Sequence, residues 1–565
     1  MNNRIHILLL LIWLVIGCSL RFVRLASLPP WTDEFATIVF SFGNSFLEVP
    51  LNQVITPDIL LQPLLPSPET GISNVLVHLF DESTHPPFYF ILSHLWIKFF
   101  VNSGEITSIW VARSLSAFFG VASIVAMFGF GCIAFRSKLV AQIAAAMIAV
   151  SPLMIFLARE ARHYTLVILL VIASLSCFIK AIEVIYRQQP LPLWLVLSWS
   201  ITNILGVATH YFFALTLLAQ GLVLFPYTWH YIRKGKQNRI KHIHIGLWRI
   251  LIVAIASATG CLVWLPMVQK AYGSEPTEWA IGNSGENILA PLGRLLLWVM
   301  SIFSLLPSAP SIIPIWIIVI SGVATLLFLF WIVPYLIYGF KNFARSNDNL
   351  SIDVLTRYTL FIIAIFLFCT YILKIDLTLA PRFIFVFAPG IILLISALLT
   401  VCWQRLNNFP KNGKFAVTVV LLVALTGGVT AVFNLGYLQN QRPDLLGSLI
   451  NQTSQVPVLI VTTYKHHGQT GRMMGLAWEF KHLYANNSQS NWQFFLAERN
   501  RKTENYTNAW GILQETIDQT LYPFDLWLIN IPSSIDIELK SCFADQKYRS
   551  RIGEYSYKLY HCPAL

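Results

Sequence analysis

Apolar residues fall in long blocks along the first three quarters of the chain. From Ile5 to Asn434, stretches of roughly 20 hydrophobic residues recur, each long enough to cross a hydrocarbon core about 30 Å thick. After Asn434 the pattern changes: charged residues, Asn, Gln and Ser become frequent, and no stretch is long enough to span. The pattern predicts a polytopic helical body over residues 1–434 and a small polar domain over 435–565. Within the second part, Val458–Thr463 and Leu526–Ile531 predict buried strands, while Met473–Tyr484 and Asn508–Thr520 have helical spacing. That combination predicts a small α/β domain. It holds no Gly-rich phosphate loop, and no chemistry is assigned to it.

Basic residues orient the blocks. His230–Arg249 carries Arg233, Lys234, Lys236, Arg239, Lys241 and Arg249 with no acid, the pattern of a cytoplasmic loop. Residues 25–84 are the reverse, with Asp33, Glu34, Glu48, Asp58, Glu69, Asp81 and Glu82 and no Lys or Arg. Ile5–Val23 is followed by Leu28-Pro29-Pro30-Trp31 rather than a small-residue cleavage site, so it reads as a retained signal anchor. Phe88–Val101 is too short to span. Treating it as a helix along the outer interface keeps Arg136 and Lys138 inside. The remaining blocks alternate to give about eleven spans. The N-terminus lies inside; an outer loop over 24–87 and the C-terminal domain lie on the extracytoplasmic side.

Composition agrees. With 56% hydrophobic and 12% charged residues, most of the surface must face lipid. The net charge of +12 is used for orientation, which removes the case for nucleic acid as a partner and leaves membrane lipids. Six cysteines lie in apolar runs. Cys542 and Cys562 are the two in the polar region, able to pair if that region is extracytoplasmic.

This threading gathers four groups on the outer side: Asp33-Glu34, His85-Pro86-Pro87, the turn Arg159-Glu160-Ala161-Arg162-His163-Tyr164, and Arg382 at the head of a span. A carboxylate can take a proton from an acceptor hydroxyl, and arginines can grip a phosphate bidentately. Each group also has a plainer reading. An Asp-Glu pair in a loop can be solvated surface, and Asp81-Glu82 is a second such pair that composition does not rank below it. A terminal Arg can snorkel. Arg159, Glu160 and Arg162 can cap helix ends, and His210-Tyr211 can be an interfacial anchor.

Trp31-Thr32-Asp33-Glu34-Phe35-Ala36-Thr37 resembles the W-x-D-E-A-x-[ST] signature in the first outer loop of GT-C glycosyltransferases. The similarity is to the dolichyl-phosphate-mannose-protein mannosyltransferase-like family (glycosyltransferase family 39), which includes bacterial aminoarabinose transferases. His85-Pro86-Pro87-Phe88-Tyr89 is similar to that family's HPPLYY, and Ser151–Tyr164 to its SPFxIxYSxEARxY. Thr209-His210-Tyr211-Phe212 and Ala380-Pro381-Arg382-Phe383 resemble two further family words, in matching order over roughly the first 400 residues. Phe35 and Ala158 stand where the family more often has Ala and Ser, and His85 where some relatives have Lys.

The resemblance implies a GT-C fold in a bacterial plasma membrane and an inverting transfer. A sugar passes from a polyprenyl-phosphate donor to a lipid, glycan or protein acceptor at the outer face. Asp33 is implied as general base, Glu34 as its support or as a hydrogen-bond partner of the acceptor, and Glu160 as a second acid. His85, Arg159, Arg162, His163, Tyr164, His210 and Arg382 are implied as substrate-binding residues. No cofactor is implied as required; a divalent ion held by Asp33, Glu34 and His85 is the variant that some relatives suggest. The competing class is a transporter or flippase of lipid-linked sugars, which places ionisable groups near the bilayer midplane rather than at one interface.

Overall fold

The computed structural model describes residues 3–563 apart from 68, 101–107, 236–239, 282–286, 344–348, 405–411, 484–491, 501–504, 521–522 and 532–541. Lys236 and Arg239, which help orient the spans in the sequence, lie outside the described residues, as do Arg345, Arg405 and Lys411, basic residues that also follow spans in the sequence. The chain forms two compact units: Met1–Leu25 with Thr84–Tyr89 and Arg113–Leu438, and Ala26–Ser83 with Phe90–Ala112 and Gln439–Leu565. The division differs from one placed at residue 434, because the acidic loop and most of the Phe88–Phe100 helix group with the C-terminal part.

The first unit is helical. Among the described residues, seven helices are long and apolar enough to cross a membrane, and the bent pair Lys138–Val150 and Pro152–Ala158, taken as one span, brings the number to eight. Leu193–Thr209 and Ala388–Gln404, at 17 residues each, and Phe213–Gly235, with Pro226 inside it, account for the other expected blocks. Neither Phe88–Phe100 nor Ala290–Met300 reaches spanning length. Tyr164–Tyr186 is mostly buried among its neighbours, whereas Ile315–Phe343 turns Ile315 and Phe330 outward, each more than 75% exposed. A helix apolar on all sides with such residues facing out requires lipid around it. This is a multi-pass membrane protein.

Polar side chains tie these helices together. Gln220 Nε2 donates to Ser174 Oγ (2.9 Å), Ser174 Oγ to Asn203 Oδ1 (2.8 Å), and Asn203 Nδ2 to Ser257 Oγ (2.8 Å). The break at Ser151-Pro152 bends its helix pair by 57° and frees main-chain carbonyls. The wholly buried Arg21 answers them, its guanidinium donating to Ile148 and Ala149 carbonyls, both at 2.9 Å. Gly120 is what lets it in: a Cβ there would stand 2.9 Å from Arg21 Nε.

The second unit is built on a six-stranded sheet of order β1-β3-β2-β4-β6-β5. Its strands are β1 (Val54–Ile55), β2 (Val458–Tyr464), β3 (Trp492–Glu498), β4 (Phe524–Ile529), β5 (Phe543–Ile552) and β6 (Tyr555–Cys562). β2 runs parallel to β3 and β4; the remaining pairings are antiparallel. Every residue of β2 and β4 is buried, because helices Thr507–Asp518 and His467–Leu483 cover the sheet. On one side Leu513 and Ile517 pack with Leu459, Val461, Leu526 and Leu528; elsewhere Phe480 stacks on Trp492 at 4.5 Å. Cys542 and Cys562 are joined by a disulfide. The acidic loop joins this unit because β1, from within it, adds an edge strand to β3.

Candidate functional site

In the sheet unit, Trp31 is extended and Thr32–Ser41 is helical, so Asp33 and Glu34 occupy a first helical turn, where negative charge is favoured. Glu34 is fully buried, and its Oε2 accepts the Trp31 N–H (3.3 Å). Gln441 Oε1 accepts both the N–H (2.9 Å) and the hydroxyl (2.8 Å) of Thr32. These bonds satisfy main-chain donors that a helix start leaves open. Asp33 is half-buried between them. The second acidic pair differs. Glu82 accepts from Ser45 Oγ (2.6 Å) and Phe46 N–H (3.0 Å), holding the loop's own fold, and Asp81 is exposed.

In the helical unit, the turn between Pro152–Ala158 and Tyr164–Tyr186 is fixed by Ser116. Its hydroxyl donates to the Arg162 carbonyl (2.7 Å) and accepts the Arg162 N–H (3.2 Å); the Tyr89 hydroxyl also meets it at 2.7 Å. Thr165 Oγ donates to the Ser116 carbonyl (2.9 Å). Arg162 NH2 donates to His85 Nε2 (2.9 Å), which makes that nitrogen an acceptor. The His163 ring lies 5.6 Å from that of His85 and 4.7 Å from those of Tyr164 and His210. Arg382 is half-buried beside Phe383, whose ring is 6.5 Å from that of His210. Six of the expected residues are thus brought together: His85, Arg162, His163, Tyr164, His210 and Arg382.

Burial holds His163 and His210 well below the usual imidazole range, reinforced for His163 by Arg162 first and for His210 by His85 first, with Arg382 adding to both. Both are neutral at physiological pH. His210 Nδ1 accepts the Phe212 N–H (3.0 Å), so its Nε2 carries the proton. His163 is 1% exposed, and neither ring nitrogen has a hydrogen-bond partner. A buried polar atom left so costs about 1–3 kcal/mol, an expense that a bound ligand removes.

Arg159 stands apart. NH1 donates to the carbonyls of Leu20 (3.4 Å), Arg21 (3.3 Å) and Val23 (2.6 Å), and NH2 to those of Arg24 (2.8 Å) and Val432 (3.5 Å). Burial, with Arg113 and Arg24 nearby, pushes its pKa down to about 10, so it stays cationic and caps the helix Asn3–Phe22. That leaves no free fork for a phosphate. Glu160, next in the chain, is buried. Among the described residues no group of three or more His, Cys, Asp or Glu side chains is placed to hold a metal ion. Gln441 and Ser116 are organising residues that sequence reasoning missed; a Ser in an apolar helix and a Gln in a polar tail carry no local signal.

No protein-family model matches the chain, and no curated protein matches it. Among solved structures it is similar to ArnT from Cupriavidus metallidurans bound to undecaprenyl phosphate, with 12% identity and a TM-score of 0.49, over 98% of this chain and 97% of that one. It is similar also to the Archaeoglobus fulgidus oligosaccharyltransferase, at 14% identity and TM-score 0.41 over 84% and 64% of the two chains. A third likeness is to the S. cerevisiae protein O-mannosyltransferase Pmt1–Pmt2 complex bound to the sugar donor, at 15% and 0.34 over 48% and 34%. These likenesses assign no residue a role.

Proposed function

We propose that this protein is an inverting glycosyltransferase that moves a sugar from a polyprenyl-phosphate donor to an acceptor hydroxyl or amine at the outer face of the membrane. The observation that carries the reading is the group His85, Arg162, His163, His210 and Arg382. Two guanidiniums and neutral imidazoles surround His163, whose nitrogens are buried and unsatisfied. Such a set suits a phosphate, which brings negative charge and several acceptor oxygens at once. The order of motif words in the sequence supports the same class.

In this reading the acceptor attacks the anomeric carbon from the face opposite the phosphate. Asp33 takes the acceptor's proton as the new glycosidic bond forms, while the bond from anomeric carbon to phosphate oxygen breaks. The electron pair leaves with polyprenyl phosphate, and Arg162 and Arg382 stabilise the charge that grows there. Glu34 fixes the turn that carries Asp33, and Glu160 is the second acid. His85 receives the Arg162 N–H and holds that guanidinium in place. Tyr164 lies under Arg162, 5.6 Å from ring centre to guanidinium. Arg159 has a capping role instead. Purified protein in lipid should convert a labelled polyprenyl-phosphate sugar to a product of inverted anomeric configuration. Activity with a nucleotide sugar instead, or retained configuration, overturns the reading.

A further inference from the structure

The C-terminal hairpin touches the residues that start the Asp33 helix. β5 and β6 are joined through Gly553 and Glu554, the turn closing where Ile552 pairs with Tyr555. Gly553 has φ +56°, and a Cβ there would stand 2.1 Å from the Asn440 carbonyl oxygen. Only glycine meets both demands. The next residue seals the contact, Glu554 N–H donating to that same carbonyl (3.1 Å). The Glu554 carboxylate then accepts from Gln441 Nε2 (2.9 Å) and from Arg472 NH2 (3.3 Å). With its amide nitrogen bound to Glu554, Gln441 can offer only its oxygen to Thr32, and that oxygen takes both Thr32 bonds. Gly471, on the helix with Arg472, lies so close to Thr32 that a Cβ would sit 3.2 Å from its carbonyl oxygen.

We infer that Gln441 and Glu554 are positioning residues: the hairpin tip sets the amide orientation of Gln441, and Gln441 sets the first turn of the helix that carries Asp33. The sheet domain is therefore part of the working apparatus. The functional consequence rests on Asp33 as general base; the mechanical link does not. A free Gln flips between its oxygen and nitrogen faces at little cost, whereas one wedged between a carboxylate and two donors has a single satisfied orientation. An error of about 1 Å in the placement of a reacting group can cost about 10²-fold.

The experiment is a swap in the full-length protein. Gln441→Glu keeps an acceptor for Thr32 but sets two carboxylates face to face; Gln441→Glu with Glu554→Gln restores one carboxylate and one amide in reversed order. The single variant should lose about 10- to 10²-fold in kcat with the donor KM unchanged, and amide exchange over Thr32–Glu34, read by mass spectrometry, should accelerate. The double variant should recover both. Lys558→Ala, on β6 but outside this link, should alter neither. If the single variant does not fold, Glu554→Gln alone carries the test with a several-fold loss and faster exchange. Unchanged exchange and rate in the single variants, or no recovery in the swap, overturn the inference. Accelerated exchange that the swap reverses, together with wild-type turnover in Asp33→Asn, upholds the link and overturns the base assignment instead.

Discussion

Several charged side chains of the two units are held by different kinds of partner. In the helical unit, Arg21 and Arg159 bond almost wholly to main-chain carbonyls, at a broken helix and at a helix end. In the sheet unit, charged side chains meet charged side chains: Arg442 with Asp444 (2.6 Å), Arg472 with Glu554 (3.3 Å), His561 with Asp525 (2.7 Å). Where water is scarce, an open carbonyl is itself expensive, and a guanidinium with five donors can satisfy several at once. In the sheet unit the backbone is satisfied largely by strands, which leaves these cations to pair with acids, as Arg294 does with Asp376 (2.5 Å) in the helical unit. The comparison separates two kinds of arginine that sequence cannot. Arg21 and Arg159 are occupied by carbonyls and support the fold; Arg162 donates to a side chain, His85, next to the unsatisfied ring of His163.

The largest expected effect falls in the sheet unit. Asp33→Asn should lower transfer by about 10²- to 10⁴-fold, the usual loss of a general base, while insertion and folding persist. Asp81→Asn should be near wild type. A steady-state assay with a polyprenyl-phosphate sugar checks both, and equal losses would remove the distinction between the two acidic pairs.

Arg159 and Arg162 test the comparison within the helical unit. Arg162→Lys keeps the charge but loses the planar fork, and should raise the donor KM about tenfold with thermal stability little changed. Arg159→Lys should do the opposite, lowering the melting temperature because one ammonium cannot reach five carbonyls, and leaving the donor KM alone. Donor titrations paired with thermal melts in detergent distinguish them. A raised donor KM in Arg159→Lys would mean that carbonyl-bound arginines also serve the ligand.

That pair also marks what the sequence could and could not reveal. Hydropathy located every block that became an apolar helix, because a span is a property of 20 neighbours averaged together. The strands Val458–Tyr464 and Phe524–Ile529 and the tail helices His467–Leu483 and Thr507–Asp518 were legible from short apolar runs and helical spacing, whereas the tail helix Pro443–Thr453 was not. β3, β5 and β6 were not legible; β5, an exposed edge strand, alternates too weakly to stand out. Nor was the grouping of the acidic loop with the sheet, which depends on a two-residue strand, Val54–Ile55, pairing across more than 400 positions. Among the site residues, the motif words located the Arg159–Tyr164 turn, but which arginine points to carbonyls depends on where the helix ending at Phe22 stops.

A smaller effect tests the neutral glue of the helical unit. Ser174→Val removes the hydroxyl that both accepts from Gln220 Nε2 and donates to Asn203 Oδ1, so each amide loses one of its bonds while Asn203 keeps Ser257 and Gln220 keeps Trp199. Interhelical bonds of this kind contribute about 0.6–2 kcal/mol. The variant should melt a few degrees lower with kcat and donor KM unchanged. A change in kcat would connect this network to the chemistry.

The smallest expected effect is a pH dependence confined to the sheet unit. Glu479 is buried, its Oε2 has no hydrogen-bond partner, and burial, helped by Asp444 and opposed by Arg442, pushes its pKa up to about 7. An acid with a folded-state pKa above its unfolded value of roughly 4.3 binds its proton more tightly when folded. Its stabilising contribution is complete below pH about 4.3 and is lost as pH rises through about 7. His561 adds a second loss in the same direction. Its hydrogen bond to Asp525 raises its pKa, so its contribution is present below the ordinary imidazole pKa of about 6.5 and fades as pH rises through the raised value. Hydrogen exchange in β2 of the full chain should therefore quicken, beyond its intrinsic pH dependence, between pH about 4.5 and 7. Glu479→Gln keeps the shape and cannot ionise, so it should flatten that segment and leave the His561 part intact. A wild-type profile in Glu479→Gln would show that this carboxyl does not govern the titration.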